Sequence, residues 1–470
     1  MDDALIAGLR AALPGATVWG PDELASRDPG ADARNFAAAA LVRPPDADAV
    51  AALVRWCGAR GIALVPQGGR TGLTGASATE AGQVICDLGA LRGTEIDAAA
   101  RVAVVGAGVT LAALQEECAA VGLDPGIDLA ARGSCTIGGM ISTNAGGAMA
   151  FRNGTMRHRV LGLEVVLPDG RTLHDLTRVL KTSAGYDLKH LFIGAEGTLG
   201  IVTRAALRLE ALPVASATAL VGVPDAASAQ RVVGRFLVSR DGSLRAAEIL
   251  WRRFAEFMRR ALGFDAGLLP IDAPCVLVLE VAAGDDAAAR AALEEGLAEI
   301  WEEAGIIDGV VAASDEQARR IWRLREETEL IERMHKLPPS FDVSVPGGIL
   351  DAYVARIEAE LTALDPRYGP YVFGHLADGN LHITVPVDGP VSHAAHEAIE
   401  DVLYAGLVAA GGSFSAEHGV GLEKRDAWER HADPVKQDLS RAIKRLLDPE
   451  GFLNPGKIIR GDTAPRTQDH

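Results

Sequence analysis

The segment Gly374-His375-Leu376-Ala377-Asp378-Gly379-Asn380-Leu381-His382-Ile383 constrains this chain more than any other, because it sets two histidines symmetrically about an Asp-Gly pair between apolar runs. Asp-Gly favours a two-residue type I′ turn, in which both central residues take positive φ, and so predicts a β-hairpin. With Asp378 and Gly379 as the turn, Ala377 pairs with Asn380, Leu376 with Leu381 and His375 with His382. Directly opposed Cβ atoms stand about 4.5 to 5.5 Å apart, from which two imidazoles can close on one divalent ion. Glu417, in Ser415-Ala416-Glu417-His418-Gly419-Val420-Gly421, is the third ligand to nominate, and its neighbour His418 is the natural general base. The plain alternative is a pair of cross-strand histidines that only face one another, or one that packs in a core.

A chain of 470 residues is expected to divide into two or three domains, and 48% apolar with 23% charged residues suits a soluble globular enzyme. The net charge of −17 argues against nucleic acid as a partner, since a phosphate backbone needs a basic stripe. Cys57, Cys86, Cys118, Cys135 and Cys275 are odd in number and widely spaced, with no Cys-x-x-Cys. They predict neither a disulfide framework nor an iron–sulfur or zinc-ribbon site, and point to a reducing compartment. Met1-Asp2-Asp3-Ala4 is acidic where a signal peptide is basic, and no apolar run reaches the roughly 18 to 20 residues that span a bilayer. The expectation is a cytoplasmic protein, at most peripheral to a membrane; its oligomeric state is open, a homodimer included.

From Ala40 to about Ala211 short β-rich runs alternate with helical ones: Ala40–Arg43, a helix near Asp46 to Ala59, then Ile62–Pro66, Val84–Asp87 and Val102–Val105. Ser216 to about Gly369 reads as a separate α+β domain, with a strand at Val276–Val281 and amphipathic helices at Ala287–Ala304 and Glu316–Met334. A helix at Val435–Leu447 precedes Asn454-Pro455-Gly456-Lys457, and Asp462–His470 reads as a frayed end. Domain limits of 1–213, 214–425 and 426–470 follow, the last segment returning to the first domain. Three glycine-dense loops interrupt the first part. Pro66-Gln67-Gly68-Gly69-Arg70-Thr71-Gly72-Leu73-Thr74-Gly75 follows a strand, and its glycines let consecutive N–H groups form a nest for phosphate. Gly133 to Gly147 adds hydroxyls and an amide, and Gly194 to Thr203 leads into a strand. Together they predict a large dinucleotide laid along the domain.

The order of these clusters resembles the FAD-binding half of the vanillyl-alcohol oxidase / p-cresol methylhydroxylase superfamily. The C-terminal motifs resemble its D-2-hydroxy-acid dehydrogenase branch, which includes D-lactate dehydrogenases, the glycolate oxidase flavoprotein subunit and D-2-hydroxyglutarate dehydrogenase. The likeness runs from about residue 38 to Ile459. It implies an α+β fold: a two-subdomain FAD-binding domain of the p-cresol methylhydroxylase type, and an α+β substrate domain with a largely antiparallel sheet. It also implies that Pro66 and Gly68, Gly69, Arg70, Thr71, Gly72 and Leu73 surround the FAD pyrophosphate. Thr136, Gly138, Gly139, Ser142, Thr143, Asn144 and Gly146 would line the flavin and ribityl chain, Glu196, Gly197, Gly200 and Ile201 the adenine side, and Asn454 and Lys457 would close over the cofactor. Relatives that bind FAD covalently do so through a histidine at the end of the first loop; Arg70 stands there, so FAD is expected to be non-covalent.

Oxidising a 2-hydroxy acid moves the α-hydrogen to flavin N5 and the hydroxyl proton to a base. A divalent ion, zinc or manganese, on His375, His382 and Glu417 would acidify the hydroxyl, with His418 as the base. By resemblance to a Leu-Arg-Glu element, Arg325 would hold the substrate carboxylate. Relatives acting on D-2-hydroxyglutarate carry a lysine where this chain has Ser340 and an asparagine where it has Thr384. A D-lactate-like monocarboxylate is therefore expected ahead of D-2-hydroxyglutarate or glycolate, unless Lys336 or His335 meets a distal carboxylate. Electrons would leave to an external quinone, electron-transfer flavoprotein or cytochrome. A metal-dependent hydrolase, or a silent FAD-binding subunit of a larger redox complex, is the alternative from another class.

Overall fold

Asp46 accepts the Ala49 amide at 2.8 Å and starts the helix Ala47–Gly58, whose Val50, Leu53, Val54 and Cys57 pack among Ala40, Val42, Val84 and Cys86. Those last four come from Ala40–Arg43 and Val84–Asp87, which with Leu64–Gln67 form parallel ladders; Thr17–Trp19 adds an antiparallel edge. A second, antiparallel sheet runs in the order Thr94–Asp97, Val102–Gly106, Ile201–Arg208, Val160–Val166, Thr172–Asp175. Its core takes in the short helix Ile137–Thr143 through Ile137, Met140 and Ile141. The structure is a computed structural model and describes residues 2–238, 242–264, 272–336, 338–389 and 391–460. The tail from Asp462 lies outside the described residues.

Contacts divide the chain into two compact units. The first comprises the residues up to Gly146, Asn153–Leu212 and everything from Glu417 onward; the second comprises Gly147–Arg152 and Pro213–Ala416. The first unit is completed late in the chain: Leu453 bridges Leu64 in parallel, and the Asn454 amide donates to the Leu64 carbonyl at 2.8 Å.

The second unit is built on an antiparallel sheet in the order Asp308–Val311, Ala215–Val223, Cys275–Ala283, Ser243–Trp251, Tyr371–His375, Asn380–Thr384, Ser340–Ser344. Asp285 caps the helix Asp286–Ala304, which Gly305 ends at φ 63°. The helical stretch expected at Glu316–Met334 is two helices, Asp315–Glu326 and Glu329–His335. Glu327 leaves helical geometry at ψ 46°, and the Thr328 amide folds back on the Glu326 carbonyl at 2.8 Å. Leu250, Phe254, Met258, Ile321, Leu324 and Phe373 join the first of these helices, and Arg252–Ala261, to the sheet in one core. Among the described residues no helix is long and apolar enough to cross a membrane.

Candidate active site

The first glycine loop and the loop before Ile137–Thr143 touch backbone to backbone. A Cβ on Gly69 would stand 2.0 Å from the Ser134 carbonyl oxygen, and one on Gly68 2.2 Å from Thr136 Oγ1. Only glycine allows this approach. The result is an open cleft lined by Pro66, Gly68, Gly69, Arg70, Thr71 and Gly72, by Gly138, Gly139, Ser142 and Thr143, and by Glu196 and Gly197. These are twelve of the twenty positions assigned to FAD from the sequence. Gln67, Ser77, Leu88, Leu129, Cys135 and Met140 also line it. Close-approach glycines, mainly apolar walls and the hydroxyls of Thr71, Ser142 and Thr143 suit a dinucleotide such as FAD.

The other eight positions lie outside that lining. Leu73 is 62% exposed, Ile201 is buried in its strand, and a Cβ on Gly200 would meet Val165 Cγ1 at 2.7 Å. Thr136 caps Ile137–Thr143, and Asn144, at φ 54°, ends that helix and accepts from Thr155 Oγ1 and the Arg157 amide; Gly146 follows two residues later. Asn454 Nδ2 donates to the carbonyls of Ala76 and Glu196, and Lys457 Nζ to that of Ala78. Burial pushes the Lys457 ammonium down to about 8. Arg70, at φ 55°, sets its guanidinium 3.6 Å from Asp87 and over the Phe36 ring.

In the second unit the Asp-Gly hairpin forms, but with a register two residues from the expected one. His375 lies opposite Asn380 and His382 opposite Phe373. Gly379 has positive φ and Asp378 does not, so the turn is not type I′; Leu376–Gly379 form a four-residue loop. Tertiary bonds fix it: the Leu376 amide donates to the Ala247 carbonyl and the Val345 amide to that of Gly379. A shift of two preserves side-chain parity, so both histidines still share a sheet face. Their ring centroids are 5.5 Å apart, and each offers a nitrogen within 4.8 Å of the other's.

Register partners fill that face. Glu248 lies opposite His375, and Asp342 opposite His382. Glu248 is 1% exposed and accepts from His375 Nδ1 and from Arg325 Nε, both at 2.7 Å. Burial opposes its ionisation, but His375 and Arg325 outweigh burial and hold the carboxyl below its usual range. With the proton on Nδ1, His375 keeps the Nε2 lone pair for another partner; Arg325 Nη2 stands 3.5 Å from it. The Arg325 guanidinium also lies 5.0 Å from the Phe373 ring centre. Buried Asp342 accepts the Ala416 amide at 2.8 Å, one residue before Glu417. Ser340 and Thr384 hydrogen-bond each other at 3.0 Å, Lys336 is exposed, and His335 pairs with Asp388 at 3.3 Å. Glu417 opens the segment that belongs to the first unit, where the His418 carbonyl accepts from Thr74 Oγ1 at 3.1 Å.

Glu248 and Asp342 were missed as site residues. Their signal was an acid set inside an apolar strand, as in Ala246-Ala247-Glu248-Ile249-Leu250, where burial demands a partner.

A family model described as "FAD linked oxidases, C-terminal domain" matches residues 212–458, and one described as "FAD binding domain" matches residues 38–175. The chain belongs to the FAD-linked oxidases. It is 39% identical over 443 residues to a protein of Xanthomonas citri pv. viticola named D-2-hydroxyglutarate dehydrogenase, covering 91% of this chain and 90% of the relative. A protein of that name from Stutzerimonas stutzeri is 36% identical, over 97% of this chain and 99% of its own. The mitochondrial D-2-hydroxyglutarate dehydrogenase of Bos taurus is 33% identical, over 97% and 83%. In fold, p-cresol methylhydroxylase with substrate bound matches at a TM-score of 0.74 and 18% identity, covering 97% of each chain. A 4-ethylphenol oxidase from Gulosibacter chungangensis matches at 0.71, again at 18% identity and 97% of each. The expected p-cresol methylhydroxylase-type fold is therefore present. Membership of a flavin-linked oxidoreductase family displaces the hydrolase reading.

Proposed function

We propose that this FAD-linked oxidase converts a D-2-hydroxy acid to the 2-oxo acid, using non-covalent FAD and one divalent ion, zinc or manganese. The observation that carries the metal is His375: buried Glu248 holds its Nδ1 proton, which leaves Nε2 as the ligand atom, and the His382 ring stands close enough to offer a nitrogen to the same ion. Glu417 is the proposed third ligand, one peptide bond beyond the Ala416 amide that Asp342 holds. When bound, FAD supplies the hydride acceptor and the ion a Lewis acid. Arg325 supplies the positive charge for the substrate carboxylate, and His418 takes the hydroxyl proton on its imidazole. The electrons pass to an external acceptor, a quinone, electron-transfer flavoprotein or cytochrome.

D-2-hydroxyglutarate is the leading substrate, on the names of the relatives. A monocarboxylate is the second reading, favoured by the paired, uncharged hydroxyls of Ser340 and Thr384, which offer a distal carboxylate no cation. Steady-state kcat/KM for D-2-hydroxyglutarate, D-malate, D-lactate and D-2-hydroxybutyrate with a dye acceptor separates them. A tenfold advantage for either monoacid rejects the dicarboxylate, and failure of every D-acid to bleach the flavin rejects the dehydrogenase.

A further inference from the structure

The Glu196 carboxylate is aimed away from solvent and into the segment that carries His418. Its Oε1 accepts the Val420 amide at 2.6 Å and its Oε2 the Gly421 amide at 2.8 Å. The residue is 5% exposed and takes φ 50°, a strained angle for a side chain as long as glutamate. The strain is held from both sides: the Glu196 amide donates to the Ser142 carbonyl at 2.8 Å, and its own carbonyl accepts Asn454 Nδ2 at 2.7 Å. Glycine is needed on the facing loop, since a Cβ on Gly419 would stand 2.4 Å from Glu196 Oε1 and one on Gly421 2.0 Å from the Thr74 carbonyl oxygen. That carbonyl takes the amides of Leu422 and Glu423. The stretch after His418 is thus laced on one side to the first glycine loop and on the other to Glu196, and both belong to the lining of the FAD cleft or adjoin it.

We propose that Glu196 is the positioning residue of the His418 segment, fixing the backbone from Gly419 to Gly421 so that the base is held in register with the cleft that takes the flavin. This rests on the reading of His418 as the base. Glu196 itself touches no reacting atom. Burial pushes this carboxyl up to about 7, against the two amides and the nearby Lys424 and Lys457.

Glu196→Gln keeps the shape but turns an amide N–H toward one of the two backbone N–H donors. The test uses FAD-loaded wild type, Glu196→Gln, His418→Ala and the double variant, in two measurements. Amide hydrogen exchange over residues 417–423 is expected to rise at least tenfold in Glu196→Gln, with exchange elsewhere unchanged. Flavin reduction is expected to slow about tenfold or more when His418 is present and less than twofold when it is already alanine, the signature of two residues acting as one unit. Unchanged exchange, or the same loss of rate in both backgrounds, overturns the proposal. A fully active His418→Ala enzyme instead removes the base assignment, while exchange still decides whether Glu196 holds the loop.

Discussion

Replacing Glu248 by glutamine isolates the electrostatic frame of the histidine pair from its shape. The wild-type carboxylate accepts two donors at 2.7 Å, His375 Nδ1 and Arg325 Nε, in a pocket that leaves it 1% exposed. Glutamine has one acceptor oxygen, and the charged Arg325 is its stronger claimant. The amide nitrogen then faces His375 Nδ1, which must become an acceptor, and the ring proton moves to Nε2, where it blocks the proposed metal lone pair. Losing such a partner typically weakens metal binding about 10- to 100-fold, or about 1.4 to 2.7 kcal/mol. The fold should lose a further 1 to 3 kcal/mol or so, because a buried donor loses its charged acceptor. The sign with pH follows from the depressed carboxyl: its stabilising contribution is present at neutral pH and above the unfolded value, and is lost as acid protonates it in the folded state. Metal-free enzyme titrated with zinc or manganese, read by recovery of flavin reduction and by bound metal, measures the effect. Metal affinity within twofold of wild type would refute the tautomer argument.

Gly69→Ala forces the two cleft loops apart against a backbone oxygen that cannot swing away, so a loss of about 3 kcal/mol or more is expected, with FAD occupancy falling in parallel; an unchanged melting temperature and stoichiometry would contradict it. Arg325→Lys keeps charge but not the planar fork that spans Glu248 and a carboxylate, so KM should rise about tenfold with a smaller change in kcat, and an unchanged KM would take Arg325 out of the site. All five cysteines are buried and free, and burial pushes the thiols of Cys57 and Cys275 up to about 12, so native protein should resist a thiol reagent that modifies all five after unfolding. Rapid labelling of the native enzyme would show otherwise. Acid precipitation should leave the flavin in solution, given Arg70 where a covalent link needs histidine; yellow colour retained by the pellet would mean a covalent bond.

The hairpin shows what local sequence can and cannot carry. Asp-Gly announced a reversal, and alternation placed His375 and His382 on one face, a property that survives any even slip of register. The slip itself came from bonds to Ala247, on the strand Ser243–Trp251, and to Val345, just past Ser340–Ser344, which no local rule contains. The glycine loops were legible as sites of close approach, yet which loops touch depends on how Gly69 meets Ser134 in three dimensions. Glu248, Arg325 and His375 are far apart in the chain; strand pairing brings Glu248 to His375, and packing of the helix Asp315–Glu326 on the sheet brings Arg325 to Glu248. The break at Glu327 was invisible because the amphipathic pattern continues across it.

Because Leu453 pairs with Leu64, the order of synthesis bears on this enzyme's biogenesis. At about 5 to 20 residues per second, roughly 20 to 80 s separate the emergence of these two residues from the ribosome. For that interval the strand Leu64–Gln67 presents an unpaired edge beside apolar Leu64, the kind of template on which nascent chains aggregate. Asn454, which ties Ala76 to Glu196, is also still to come, so the cleft cannot take its final form on a growing chain. Flavin capture is therefore expected to follow synthesis of Leu453 and Asn454, and a chain stalled before them is expected to be more prone to aggregate, which would make chaperone capacity a determinant of yield.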